Sequence, residues 1–223
     1  MARYIFPRWA NKVLPLSLLF GVLPLGAGIT GGLWYYATNK HVEVGHQPHQ
    51  PIEYSHKLHA GDLGIDCRYC HNTVEKSAVA AVPPTETCMN CHSKVRTQSP
   101  KLLPLRESWA NDTPVDWVRV HNLADYAYFD HSAHLAAGVG CVTCHGRVDQ
   151  MVEVRQVEPM SMSWCVDCHR DPGPHLRDPK DVTRMDLAPL ASMSSLPGVE
   201  TRAAHTTDGR PLSPPQHCSG CHR

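Results

Sequence analysis

The stretch Cys67-Arg-Tyr-Cys70-His71 occurs in five versions along the chain, and this repeated pattern decides the fold. Each version has two cysteines separated by two residues and followed at once by a histidine. The other four are Cys88-Met-Asn-Cys91-His92, Cys141-Val-Thr-Cys144-His145, Cys165-Val-Asp-Cys168-His169 and Cys218-Ser-Gly-Cys221-His222. All 10 cysteines of the 223-residue chain belong to these motifs, so no cysteine is left for another role.

A C-x-x-C-H motif is the attachment signature of a c-type haem. Its two thiols reach the two vinyl groups of one porphyrin, and the next residue lies under the iron as the proximal ligand. The five motifs therefore predict five covalently attached haem c groups. The ten cysteines are the predicted attachment sites, and the predicted proximal ligands are His71, His92, His145, His169 and His222.

Other uses of paired cysteines explain this pattern less well. Zinc ribbons use C-x-x-C pairs but do not require a histidine after each pair. A disulfide framework fits the even number of cysteines but leaves the five histidines unexplained. Dithiol redox motifs come singly and with a thioredoxin-like βαβ pattern, which this sequence lacks.

The composition predicts a core that is not built from side chains alone. The chain has only 3 Phe and 7% aromatic residues, but 19 Pro and 16 His. No sustained alternating strand pattern occurs. We therefore expect a mainly α fold with much irregular structure and little or no sheet, built on haem stacking. The formal net charge of zero gives no indication of nucleic-acid binding.

Two histidine pairs predict distal ligands for four of the irons. His56 and His59 precede the first motif in Tyr54-Ser-His-Lys-Leu-His, and His131 and His134 precede the third in Phe129-Asp-His-Ser-Ala-His. Each pair is followed by two C-x-x-C-H motifs, so the pattern is an internal repeat of a dihaem module. The spacing of three residues puts both histidines on one side of a helix, where each can face a different haem.

The second ligand of the fifth iron is open at this point. Four residues compete for it: His121, His205, Met160 and Met162. A thioether ligand would raise the potential of that haem above those with two histidines. The alternative is that the two methionines pack against a haem edge.

The N-terminal region predicts a membrane anchor. No residue from Val13 to Asn39 is charged, and a helix of about 40 Å over this length crosses a bilayer with some tilt. Aromatic residues at 34–36 end it, and three basic residues precede it: Arg3, Arg8 and Lys12. The positive-inside rule then places the N-terminus in the cytoplasm and residues 40–223 outside. A cleaved signal peptide is the alternative, but the apolar stretch is too long and has no clear A-x-A site.

The sequence divides into five predicted segments. Residues 1–12 are the cytoplasmic tail and 13–39 the transmembrane helix. The haem-binding part comprises a first dihaem module at 40–110, a second at 111–172, and a loop-rich segment at 173–223 that has the fifth motif.

Three quoted stretches resemble a known family. They are 51–71 (Pro-Ile-Glu-Tyr-Ser-His-Lys-Leu-His through the first motif), 118–134 (Val-Arg-Val-His-Asn-Leu-Ala-Asp to Phe-Asp-His-Ser-Ala-His) and 160–169 (Met-Ser-Met-Ser-Trp-Cys-Val-Asp-Cys-His). Together they resemble the pentahaem cytochrome c subunit of bacterial alternative complex III over residues 46–170. The single modules resemble the broader cytochrome c3/c7 class.

The resemblance implies a role in a membrane quinol:acceptor oxidoreductase. In that family, quinol is oxidised in membrane subunits, and electrons pass through an iron–sulfur subunit to the haem subunits. A second cytochrome c or a soluble electron carrier then receives them. The implied location is the bacterial inner membrane, in a respiratory or photosynthetic complex, with the haem domain on the periplasmic side. The chain itself would be a non-catalytic electron-transfer subunit.

Two other functions stay open as alternatives. A single-anchor quinol dehydrogenase of the tetrahaem type would start its motifs soon after the anchor, whereas 27 residues separate Asn39 from Cys67 here. A multihaem reductase, such as a nitrite reductase, needs an iron with an open position, often beside a C-x-x-C-K motif. No such motif occurs in this sequence.

Overall fold

The structure, a computed structural model, describes residues 7, 9–37, 43–186 and 211–222. Contacts divide the chain into two units, Met1–Val42 and Glu43–Arg223. The predicted distal ligand His205 lies outside the described residues, as do most of the tail at 1–12 and residues 187–210 of the C-terminal segment.

The first unit has one long apolar helix, Ala10–Tyr36, of 27 residues. It consists of α1 (Ala10–Ser17), a π-helical stretch (Leu18–Val22) and α2 (Leu23–Ala37). With a mean hydropathy of 1.9, it is long and apolar enough to cross a membrane. The prediction of an N-terminal apolar helix is therefore confirmed. It begins three residues before the predicted start at Val13, and the predicted end at residues 38–39 lies outside the described residues.

The second unit consists of short helices joined by irregular segments. Its α-helices are α3 (Cys67–Cys70), α4 (Thr85–His92), α5 (Leu103–Asn111), α6 (His131–Ala137), α7 (Cys141–His145), α8 (Met162–Arg170) and α9 (Cys218–Cys221). A π-helical stretch spans Lys57–Asp62, and 3-10 turns span Pro100–Leu102, Val148–Gln150, Gly173–His175 and Pro179–Asp181. The β pairing within the described ranges is limited to isolated bridges, such as Val139 with Leu176.

Local capping explains where several of these helices begin. The carboxylate of Asp66 accepts a hydrogen bond from the Arg68 amide at 2.8 Å and starts α3. Asp130 caps α6 in the same way through the Ser132 amide, and Ser161 caps α8. Gly138 ends α6 with a φ of 95°, a left-handed conformation that glycine adopts without steric cost. The caps fix the ends of α3, α6 and α8, which carry predicted haem-binding residues.

The packed core of the second unit is small. Nine apolar side chains are buried in the described parts of the chain: Ile52, Val74, Leu105, Leu135, Val142, Met151, Leu176, Val182 and Met185. Many other large apolar side chains of this unit are exposed, such as Val79 and Trp109. The predicted mainly helical fold without a sheet is confirmed, and its small core fits a fold organised around bound apolar groups.

Candidate haem-binding site

Each of the five C-x-x-C-H motifs lies on a short helix. The first, third and fifth motifs form α3, α7 and α9, and the second and fourth end α4 and α8. One helical turn brings the two thiols of a motif to the same side, because residues three apart are neighbours on a helix. All ten cysteines are free thiols.

Three proximal histidines each face one histidine of the predicted distal set. The ring centres of His59 and His92 lie 6.2 Å apart, and those of His134 and His169 lie 6.1 Å apart. The rings of His131 and His145 are separated by 6.4 Å with nearly parallel planes, at 8°. The second histidine of each repeat thus faces the second motif of its own module.

These separations fit an iron held between two imidazoles. With a metal–nitrogen bond of about 2 Å and about 1.1 Å from nitrogen to ring centre, two imidazoles on opposite sides of one metal would have centres about 6.2 Å apart. Direct stacking would bring the rings closer, as for Tyr54 and His59 at 4.5 Å. The three ring-centre separations are therefore compatible with the predicted bis-histidine ligation.

His56 is the matching candidate for the first motif. It is half-buried, and burial first, followed by the neighbouring His71 and His59, lowers its pKa to about 4. Its Nδ1 atom is buried and has no hydrogen-bond partner. In this respect His56 differs from His59, whose Nδ1 atom lies 2.9 Å from a backbone carbonyl.

Backbone carbonyls fix the orientation of the ligand rings. His59 Nδ1 lies 2.9 Å from the Ser55 carbonyl, and His134 Nδ1 lies 2.7 Å from the Asp130 carbonyl, four residues earlier in both cases. When Nδ1 carries the proton, it donates a hydrogen bond to the carbonyl, and the unprotonated Nε2 is free to bind a metal. The two modules use the same device at matched positions.

One aromatic ring in each module holds both distal candidates. Phe129 lies 4.5 Å from the ring of His134 and meets the ring of His131 edge-on at 4.7 Å. Tyr54 has the same two contacts in the first module, at 4.5 Å with His59 and 4.7 Å with His56. The aromatic residue that the repeat pattern contains is therefore a positioning residue for two imidazoles.

In the fifth motif, a backbone carbonyl orients the ring of the predicted proximal ligand His222. His222 Nδ1 lies 3.0 Å from the Tyr126 carbonyl, and the Tyr128 amide donates to the Cys221 carbonyl. Of the competing second ligands, Met162 is 71% exposed at the start of α8, and Met160 is half-buried with a positive φ of 49°. The ligand of this iron stays a prediction.

His121, one of the predicted second ligands of the fifth iron, lies beside the predicted proximal histidine of the third motif. Its Nε2 atom is 3.4 Å from Nδ1 of His145, and the two ring centres are 4.4 Å apart. The two ring centres are too close together for an iron to lie between them. The contact is also made by Nδ1 of His145, whereas the predicted iron-binding atom of that histidine is Nε2. The structure thus places His121 next to Nδ1 of the predicted proximal ligand His145.

His175 shares two features with His56. Its Nδ1 atom is also buried without a hydrogen-bond partner, and burial lowers its pKa. The sequence has no repeat or spacing signal at this position that could have marked it.

Residues 52–109, which include the first two motifs, match the family described as cytochrome c7 and related cytochrome c. The chain carries a cytochrome c7-like multihaem domain. The match supports covalently attached haem c at these motifs.

The chain is also similar to one curated protein. The chain is 35% identical over 100 residues to the multiheme cytochrome c subunit of menaquinone reductase from Nitratidesulfovibrio vulgaris strain Hildenborough. The match covers 44% of this chain and 47% of that protein, so the chain matches about half the length of this relative.

Proposed function

We propose that this chain is a membrane-anchored pentahaem cytochrome c that conducts electrons within a quinol:acceptor oxidoreductase similar to alternative complex III. The paired imidazoles carry this proposal. An iron with two imidazole ligands has no open position for a substrate, so it takes up and releases electrons without binding a reactant. The 6.1 to 6.4 Å separations support this ligation for the second, third and fourth motifs.

The proposed topology is that of a single-pass protein of the bacterial inner membrane. The helix Ala10–Tyr36 is the proposed anchor. The basic residues Arg3, Arg8 and Lys12 favour a cytoplasmic N-terminus and a periplasmic haem domain. That domain would comprise the modules at 40–110 and 111–172 and the fifth haem at 173–223.

The proposed cofactors are five haem c groups, one at each motif. The proposed partners are membrane and iron–sulfur subunits of a respiratory or photosynthetic complex, and a second cytochrome c or a soluble carrier. The relative's name supports a place among the subunits of a quinone-linked complex.

A second candidate function reverses the direction of the electrons. The relative is named a subunit of a menaquinone reductase, which delivers electrons to a quinone. A chain of bis-histidine haems conducts both ways, and the potentials of the donor and acceptor set the direction. Comparing the five midpoint potentials with that of the host's quinone pool would distinguish the two.

The experiment uses the full chain, purified from a host that has a cytochrome c maturation system. We expect five haems by mass, low-spin signals in electron paramagnetic resonance and near-infrared magnetic circular dichroism, and no quinol oxidation by the isolated chain. A high-spin ferric haem that binds nitrite would favour a reductase instead. Catalytic quinol turnover by the isolated chain would favour a single-anchor quinol dehydrogenase.

A further inference from the structure

The first and second motifs are direct neighbours, and so are the third and fourth. Asn90, inside the second motif, donates to the hydroxyl of Tyr69, inside the first, at 3.2 Å. On α6, His131 and His134 are only three residues apart and face the proximal histidines of the third and fourth motifs at 6.4 and 6.1 Å. Each module therefore brings its own two motifs together.

The link between the modules joins the first motif to the third. The His131 amide donates to the Ala78 carbonyl at 3.2 Å, and Nδ1 of the same histidine lies 2.8 Å from that carbonyl. Ala78 follows the first motif by seven residues. In return, the Lys57 amide donates to the carbonyl of Met151, six residues after the third motif.

The two modules are thus hydrogen-bonded in the same way in both directions. In each module, the segment that contains the histidine pair donates a backbone hydrogen bond to the loop after the first motif of the other module. The first and third motifs are therefore adjacent, although the second lies between them in the sequence.

The fourth motif continues to the fifth. Nδ1 of His169 lies 2.7 Å from the carbonyl of Pro215, and the side chain of Gln216 donates to the His169 carbonyl at 3.2 Å. Pro215 and Gln216 come just before Cys218, so the fifth motif starts beside the fourth proximal histidine.

We infer that the five haems form one unbranched chain in the order second, first, third, fourth, fifth. This inference rests on the proposed function. The exposure of the thiols supports it independently, because Cys91 of the second motif and Cys218 of the fifth are exposed and the other eight are half-buried. The second and fifth motifs are the ends, where partners would give and take electrons. Each transfer oxidises one iron from Fe(II) to Fe(III), reduces the next from Fe(III) to Fe(II), and moves no proton.

The test is the crystal structure of the haem-loaded full chain, read as iron–iron distances. We expect the four shortest distances to join the second to the first, first to third, third to fourth, and fourth to fifth irons. A second-to-third distance among the four shortest would overturn the order. Fewer than five attached haems would instead contradict the proposed function, so the two failures are distinguishable.

Variants at the two ends test the order in solution. Cys218→Ala with Cys221→Ala removes the fifth haem, and Cys88→Ala with Cys91→Ala removes the second. The first variant should shift the midpoint potential of the fourth haem alone, and the second that of the first haem alone. A shift of any other haem by more than the error in either variant would overturn the unbranched order.

A different observation concerns the proximal histidines themselves. In four of the five, Nδ1 lies between 2.7 and 3.1 Å from a backbone carbonyl, that of Ala81, Val95, Pro215 or Tyr126. In the third motif, Nδ1 of His145 faces a side chain, the Nε2 atom of His121 at 3.4 Å. Because Nε2 of His145 is needed for the iron, Nδ1 carries the proton and donates a hydrogen bond to Nε2 of His121.

We propose that His121 is a positioning residue that fixes the tautomer and raises the basicity of His145. A more electron-rich axial imidazole favours Fe(III), so the hydrogen bond lowers the potential of the third haem. At the other four motifs, Nδ1 of the proximal histidine faces a backbone carbonyl, and a side-chain substitution does not remove that acceptor. His121 would thus set the midpoint potential of the third haem independently of the other four.

The test compares His121→Ala with His121→Gln, which keeps an acceptor, and with His49→Ala in an exposed linker. In His121→Ala, we expect five attached low-spin haems, one midpoint potential raised and four unchanged, with part of the shift recovered in His121→Gln. Unchanged potentials would overturn the proposal. A high-spin haem in His121→Ala would also overturn it, because His121 would then be an iron ligand.

Discussion

The ring centres of His134 and His169 lie 6.1 Å apart, although 35 positions separate the two residues in the sequence. The same relationship joins His59 to His92 at 6.2 Å in the other module. Two unrelated histidines would not reach the separation of axial haem ligands twice at matched repeat positions. The matched separations therefore support the predicted ligand pairs in both repeats.

Replacing the distal histidine of such a pair should open one iron. In His134→Ala and in His59→Ala, we expect five covalently attached haems, of which one becomes high-spin, because the thioether bonds hold the porphyrin without the second ligand. Electron paramagnetic resonance of the oxidised protein measures the change. His49→Ala, in an exposed linker, is the control and should stay low-spin. A fully low-spin spectrum of both pair variants would show that the assignment is wrong.

Loss of the aromatic ring in a module should loosen two ligands at once. Phe129→Ala removes the contacts with His131 and His134 and should destabilise the fold by about 2 kcal/mol. We expect a temperature-dependent high-spin fraction at the third and fourth haems in optical spectra. Phe129→Tyr is the matched control, since the first module has tyrosine at this position, and it should behave like the unchanged protein. Equal spectra for both variants would contradict the positioning role.

Gly61 marks the contact between the two modules. A Cβ atom on Gly61 would overlap the backbone carbonyl of Asp149, which cannot move as a flexible side chain can. Gly61→Ala should therefore lower the free energy of unfolding by roughly 2 kcal/mol, measured by urea denaturation of the haem-loaded protein. Gly173→Ala is the control, because its nearest neighbour lies at an ordinary 3.8 Å. Equal effects of the two substitutions would count against the contact.

Asp66 predicts an acid-dependent part of the stability. Hydrogen bonds from Arg68 first of all lower the pKa of this carboxyl to about 2, below its unfolded value of about 3.9. Its stabilisation is present above pH 4 and is lost as the pH falls towards 2. Because Asp66 is partly exposed, we expect Asp66→Asn to cost less than about 1 kcal/mol at pH 6.

Unfolding in urea at pH 6 and at pH 3 measures this difference. The gap between Asp66→Asn and the unchanged protein should narrow at the lower pH. Glu107→Gln, at an exposed position of α5, is the control and should change stability by no more than about 0.5 kcal/mol at either pH. If the difference in free energy of unfolding grew on acidification, the ion pair of Asp66 with Arg68 would not be its cause.

Much of the site could be predicted because haem attachment is local chemistry. A thiol, a second thiol three residues later and a histidine next to it need only one helical turn, and the sequence contains that turn five times. The aromatic residue and the two histidines of each repeat are also within one or two turns. The apolar stretch that forms the helix Ala10–Tyr36 could be read in the same way.

The rest depends on contacts between residues far apart in the sequence. Periodicity gives no sign that Nδ1 of His145 meets His121, because an irregular segment and α6 separate them. The sequence by itself therefore determined the C-x-x-C-H motifs, the repeated histidine pairs and the apolar helix. Only the tertiary structure decided which histidines face each other and that the first motif lies beside the third. It also decided which group faces Nδ1 of each predicted proximal histidine. The physical reason is that attachment needs a few adjacent residues, whereas ligand pairing and motif order depend on how whole modules pack.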